Sequence, residues 1–196
     1  MTETQKYGWE GLIYQILANG NEKSFRSKRS AIRAGHSSHT EFRAYPHVLP
    51  YLNPQASQQQ RTALLRCAAL MAEFVELGKL TTSKSIESPY KLGRWAVWLK
   101  DNDISESNAG NIASRLEYLH TQDLEEAITT IRRILQFADS KGFYGKLDFF
   151  DLMQTFWFWG NGYSESSTEH RLKVLRDFYG YQATPSLPDS TLEGAQ

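Results

Sequence analysis

DLEEAITTIRRILQFA, residues 123–138, is the stretch that decides the fold. Leu124, Ala127, Ile128, Ile131, Ile134, Leu135 and Ala138 recur at helical spacing and build one apolar face. Asp123 stands where a helix N-cap belongs, and Glu125 and Glu126 follow at the end where the macrodipole favours acids. No strand presents this pattern, so the segment predicts a long amphipathic helix.

The same period extends in both directions. Upstream, Ser105 caps a helix with the stripe Ala109, Ile112, Ala113, Leu116 and Leu119. Ser88-Pro89 leads into Leu92, Trp95, Ala96 and Leu99. Asn53-Pro54 opens a helix carrying Leu64, Leu65, Ala68, Met71, Phe74 and Val75, with Gly78 after it. A polar helix is expected over 22–34, stopped by Gly35. Trp9, Leu12, Ile13, Ile16 and Leu17 form the face of a first helix, ended by Asn19-Gly20. Between them, 36–53 holds Pro46 and Pro50 and reads as a connector with at best a short aromatic helix.

Downstream, Gly142 and Gly145 frame a turn. Asp148 starts an aromatic helix from Phe149 to Trp159, ended by Gly160-Asn161-Gly162. A last helix holds Leu172, Val174, Leu175, Phe178 and Tyr179. The fold class expected is all-α: a bundle of about seven to nine helices in two small lobes, 1–80 and 81–181. Residues 182–196, rich in Pro, Ser, Thr and Gly, are expected to be a disordered tail.

With 196 residues, 40% hydrophobic and 22% charged, the chain can bury a core without disulfides or metals. Its apolar runs are too short to span a bilayer, and no signal peptide is legible, so a cytoplasmic address is expected. The formal net charge of zero hides an asymmetry. Residues 1–94 carry 13 Lys and Arg against 7 Asp and Glu; residues 95–196 carry 9 against 15. A basic half on a neutral protein offers a place for a polyanion while limiting non-specific binding.

Candidates for catalysis are weak. His36 and His39 stand three apart in a connector without a third ligand, and read as surface histidines. Cys67 sits among Leu64, Ala68 and Met71 and reads as a buried small hydrophobe. Phosphate-loop, nucleophile-elbow and metalloprotease motifs are missing. The expectation is no enzyme, no cofactor and no metal.

The basic residues carry more information. On a helix over 22–34, Lys23, Arg26, Arg29 and Arg33 share about a third of the circumference, with Phe25 and Ile32 opposite to dock it. Such a guanidinium ridge suits a run of phosphates. Arg43, Arg61 and Arg66 extend the basic half. Lys91 and Arg94 lie about one turn apart beside Trp98. The aromatic run 149–159 reads as core plus partner contact. Trp157 is assigned to the core, and Trp159, nearer the helix end, to a partner surface together with Trp98.

Several short motifs then occur in order: Leu64-Leu65-Arg66, Lys91-Leu92-Gly93-Arg94, Arg115 with Leu116 and Leu119, Ile131-Arg132-Arg133-Ile134-Leu135, Leu147-Asp148-Phe149, and Arg176-Asp177-Phe178-Tyr179. The series resembles the small subunit of the type I-E CRISPR surveillance complex Cascade, the CasB family, over about residues 8–181. The resemblance implies an all-helical fold without catalytic activity. It implies two copies lying along the backbone subunits that hold the guide RNA, near the large subunit. It further implies a basic surface that holds opened target DNA, especially the displaced strand of the R-loop. By that analogy Arg115, Arg132 and Arg133 join Lys91 and Arg94 as nucleic-acid contacts. A different reading stays open at this point: a helical adaptor whose Trp-rich helix docks a protein and whose basic ridge is merely solvated. A metal-dependent hydrolase around His36 and His39 is a weaker third.

Overall fold

The computed structural model describes residues 8–79, 88–102, 106–144 and 146–180. In chain order the helices are α1 (Trp9–Asn19), α2 (Arg26–Arg33), α3 (Tyr45–Val48), α4 (Gln58–Glu73), α5 (Leu92–Asp101), α6 (Glu106–Glu117), α7 (Leu124–Ser140), α8 (Phe149–Trp157) and α9 (Glu165–Gly180). Short 3-10 turns join several of them. Among the described residues there is no strand, only one isolated parallel bridge between Gly78 and Leu147. The fold is the expected all-α bundle. No helix among the described residues is long and apolar enough to cross a membrane.

α4 is the axis. Every residue from Ala63 to Ala72 is buried, because α1, α2, α7 and α8 pack around it. It starts later than the Asn53-Pro54 signal implies. Ser57 closes a capping box: its hydroxyl accepts from Gln60 N, and Gln60 Oε1 accepts from Ser57 N. These reciprocal bonds satisfy two end groups that Asn53 does not reach. The polar helix over 22–34 is likewise divided into a 3-10 turn, Lys23–Phe25, and α2.

Asp123 caps α7 by accepting from Glu126 N, as its sequence suggests. Asp148 caps α8 through Phe150 N and Asp151 N. α8 stops at Trp157, two residues short of the aromatic run. The chain then turns through Gly160 and Gly162, both at positive φ, where a side chain is strained. α5 lies against α9, and Gly93 makes the contact possible: a Cβ there would press into the α9 backbone at Val174.

Buried side chains from Trp9 to Phe178 form one hydrophobic cluster. It joins elements from both sides of the expected 80/81 lobe boundary. That boundary, and the expected tail at 182–196, lie outside the described residues.

Candidate nucleic-acid interface

The 3-10 turn and α2 dock through Phe25 and Ile32, both buried, and turn their polar side out. Lys23 is exposed on the turn, and Arg26 and Arg33 are exposed on α2. Arg29 turns inward instead. Its Nε donates to Ala72 O at 2.7 Å, Nη1 to Gly20 O at 3.1 Å and Nη2 to Glu73 O at 3.4 Å. These are carbonyls at or near helix ends, which lack intrahelical partners, and a guanidinium satisfies several at once. Burial pushes the Arg29 guanidinium down from its ordinary value, with Arg33 adding to the effect. The ridge is therefore Lys23, Arg26 and Arg33, with Arg29 as its fastening to the body.

α7 meets this ridge at Glu73, the last residue of α4. Arg132 grips the Glu73 carboxylate with a two-point fork, Nε to Oε2 at 2.9 Å and Nη2 to Oε1 at 2.8 Å. His36 Nε2 lies 2.6 Å from Oε2, and Arg33 Nη2 lies 3.9 Å from Oε1. Burial and the adjacent Arg132 push His36 below its ordinary value, which favours the neutral imidazole. Burial works to raise the Glu73 carboxyl, but Arg132 and His36 outweigh it and hold Glu73 low. Arg133, next along α7, is exposed. Arg33 of α2 and Arg132 of α7 thus meet at Glu73, which joins the ridge to one of the arginines that the family analogy had named separately.

Arg66 departs from its expected role as a nucleic-acid contact. It is 4% exposed. Its Nη1 donates to Gly35 O at 2.6 Å and Glu41 Oε2 at 2.7 Å, and its Nε to both oxygens of Glu125 at 2.9–3.0 Å. It clasps α4, the 34–43 connector and α7 together. Its neighbours Leu64, Leu65, Cys67 and Ala68, all buried, were the signal in the sequence that this arginine points inward. Arg43 is exposed on the connector, Arg115 half-buried on α6, and Arg61 lies over the Tyr45 ring at 5.0 Å.

Lys91, Arg94 and Trp98 belong to a second patch, at the start of α5. Trp98 is half-buried, its ring meets Phe143 edge-on at 4.9 Å, and Lys146 Nζ sits 5.5 Å over it. Lys79 Nζ sits 3.4 Å over the Tyr90 ring. Lys79, Tyr90 and Lys146 escape a reading of the sequence, because the Gly78–Leu147 bridge is what brings these segments together.

Trp159 contradicts its assignment to a partner surface. It is fully buried, stacks near Phe156, and donates Nε1–H to Gln122 O at 3.1 Å. The loop after α8 folds back over it. Arg171 secures that loop by donating to Trp159 O, Gly160 O, Gln122 O and His120 O.

His39 is exposed and His36 is engaged with Glu73, so the two do not converge. Among the described residues no group of three or more His, Cys, Asp or Glu is placed to hold a metal. Cys67 is fully buried, and burial pushes its thiol up, away from the reactive thiolate.

The model of the CRISPR-associated protein Cse2 family matches residues 28–179. Among solved structures, a CRISPR-associated Cse2-family protein from Thermus thermophilus superposes with a TM-score of 0.62 at 20% identity, covering 89% of this chain and 99% of that one. CasB from Thermus thermophilus gives 0.61 at 21%, covering 88% and 97%. At such identities the likeness speaks for the fold. None of the curated proteins matches the chain.

Proposed function

Because the chain belongs to the Cse2 family of CRISPR-associated proteins, we propose that it is the non-catalytic small subunit of a type I-E Cascade complex. In this reading its cationic face holds nucleic-acid backbone and stabilises the R-loop in antiviral defence. It sits in the cytoplasm beside the backbone and large subunits, the guide RNA, the target DNA and a second copy of itself. The observation that carries the reading is the meeting of Arg33 from α2 and Arg132 from α7 at Glu73, with Lys23 and Arg26 exposed before Arg33 in the chain and Arg133 exposed beside Arg132. Phosphate contacts carry no sequence information, which suits an assembly that accepts any guide. Exchange of a DNA duplex for an RNA–DNA hybrid is nearly balanced, so a few such contacts tip it. The burial of both Trp157 and Trp159 supports this reading over an adaptor that docks a protein through its Trp-rich helix.

The test replaces Arg26, Arg33 and Arg133 together by Ala in the assembled complex. Each lost contact is expected to lower the salt slope of single-strand binding by about 0.7 and to shorten the R-loop lifetime. Unrelated target sequences are expected to suffer equally. An intact assembly with unchanged slope and lifetime overturns the proposal.

A further inference from the structure

Glu73 is an acid in an unfavourable place. It is the C-terminal residue of α4, where the helix dipole presents its negative end. The carbonyls there need donors, and Arg29 already supplies them at Ala72 and Glu73. The carboxylate is therefore not needed to finish the helix. It is held because Arg33 from α2, His36 from the following turn and Arg132 from α7 converge on it.

The stoichiometry differs from that of the Arg66 clasp. There one buried arginine is enclosed by two acids, with almost no guanidinium surface left to solvent. At Glu73 the ratio is inverted: one acid meets two arginines and a histidine. The Arg33 side chain is 50% exposed and that of Arg132 38%, against 12% for Glu73. Arg33 at 3.9 Å is drawn toward the carboxylate but is too far for a hydrogen bond. A guanidinium fork fits a carboxylate and a phosphate equally well. A phosphodiester arriving from solvent would meet two partly exposed forks, with its non-bridging oxygens able to engage both.

We infer that Arg33, His36 and Arg132 form an anion site whose resting occupant is the chain's own Glu73, and that a nucleic-acid phosphate competes for the same donors. The inference rests on the nucleic-acid reading above and adds a mechanism to it. Binding here exchanges an internal ion pair for an external one. The internal carboxylate tempers affinity and keeps the arginines from capturing stray polyanions.

The probe is a labelled oligothymidylate, titrated into the purified chain over a salt series, with thermal melting of every variant. Wild type is expected to bind weakly and with salt dependence. E73Q is expected to bind about two- to tenfold more tightly, with a salt slope steeper by about 0.7, because one further fork becomes available. E73D, which shortens the side chain and draws the carboxylate back, is expected to move affinity the same way by less. Adding R132A to E73Q is expected to remove the gain. A folded E73Q that binds no tighter, or more weakly, would make Glu73 a brace that orients Arg132. That outcome overturns the inference and leaves the nucleic-acid reading standing. If E73Q fails to fold, E73D decides in the same way. No salt-dependent binding by wild type or by either variant defeats the nucleic-acid reading itself.

Discussion

Replacing Arg66 by Met measures whether this arginine builds the protein or holds its ligand. Met keeps length and apolar stem but removes every donor. Three losses follow. The Gly35 carbonyl, bonded at 2.6 Å, is left without its donor, a loss of about 1–3 kcal/mol for a buried acceptor. Glu41, whose side chain is 17% exposed, loses a charged partner at 2.7 Å but keeps the Tyr45 hydroxyl. That charge-assisted bond contributes about 1.5–3 kcal/mol. Glu125 is half exposed and rehydrates, so its share is about 0–1 kcal/mol. Better solvation of the apolar Met in the core offsets part of this, leaving a net destabilisation of about 3 kcal/mol. For a chain of this size that corresponds to a fall in Tm of about 6–12 °C. The assay is thermal or urea unfolding, paired with the salt slope of oligonucleotide binding at a temperature where the variant is folded. The pH limb gives a second check. Burial works to raise the Glu41 carboxyl, but Tyr45 and Arg66 outweigh it and hold it below its ordinary value of 4.5. This contribution is present above that value and is lost as pH falls through the lower folded value, so R66M shallows the acid limb. A variant of wild-type stability with a reduced salt slope would refute the clasp and return Arg66 to the nucleic-acid surface.

Trp159→Ala is expected to destabilise by about 3–5 kcal/mol, as for any large ring removed from a core; wild-type melting together with weakened assembly would restore the ring to a partner surface. Gly93→Ala forces a methyl against Val174 O and Asp177 Cβ on α9, and a loss of about 1–3 kcal/mol is expected; unchanged urea unfolding would mean the α5–α9 contact is looser than described. His36 is held below its ordinary value of 6.5 by burial and Arg132, so its neutral form contributes stability above that pH, and the contribution is lost as pH falls toward the folded value. His170, lowered mainly by burial, acts in the same direction. H36Q, whose amide can donate to Glu73, is expected to flatten the fall in stability below pH 6.5 while His170 leaves a residual slope; identical wild-type and H36Q profiles would show that His36 does not titrate with folding.

Helix identity along this chain is a local matter, and the sequence carries it. The 3.6-residue period of α7, its Asp123 cap and the Asp148 cap of α8 are legible because they depend on residues within a turn or two of each other. Where the start of α4 moved, a neighbour at short range won: the Ser57–Gln60 box displaced the Asn53-Pro54 signal. The all-α class follows from such periods alone.

The fate of each cation is not local. Arg26, Arg29, Arg33 and Arg66 all read as basic residues at helical spacing, yet Arg29 ties down the end of α4, Arg66 is sealed between Glu41 and Glu125, and Arg26 stays in solvent. Trp157 and Trp159 look different by position but end in the same core, because the glycine turn after α8 folds the chain back. Glu73, His36 and Arg132 are far apart in sequence and meet only where α2, α4 and α7 converge. By itself the sequence determined which segments are helices and which half of the chain is basic, because periodicity and charge are properties of the residues in order. Only the tertiary structure decided which charges remain available to a ligand, because a guanidinium directs its donors to whatever carbonyl or carboxylate the packing of distant helices places within about 3 Å.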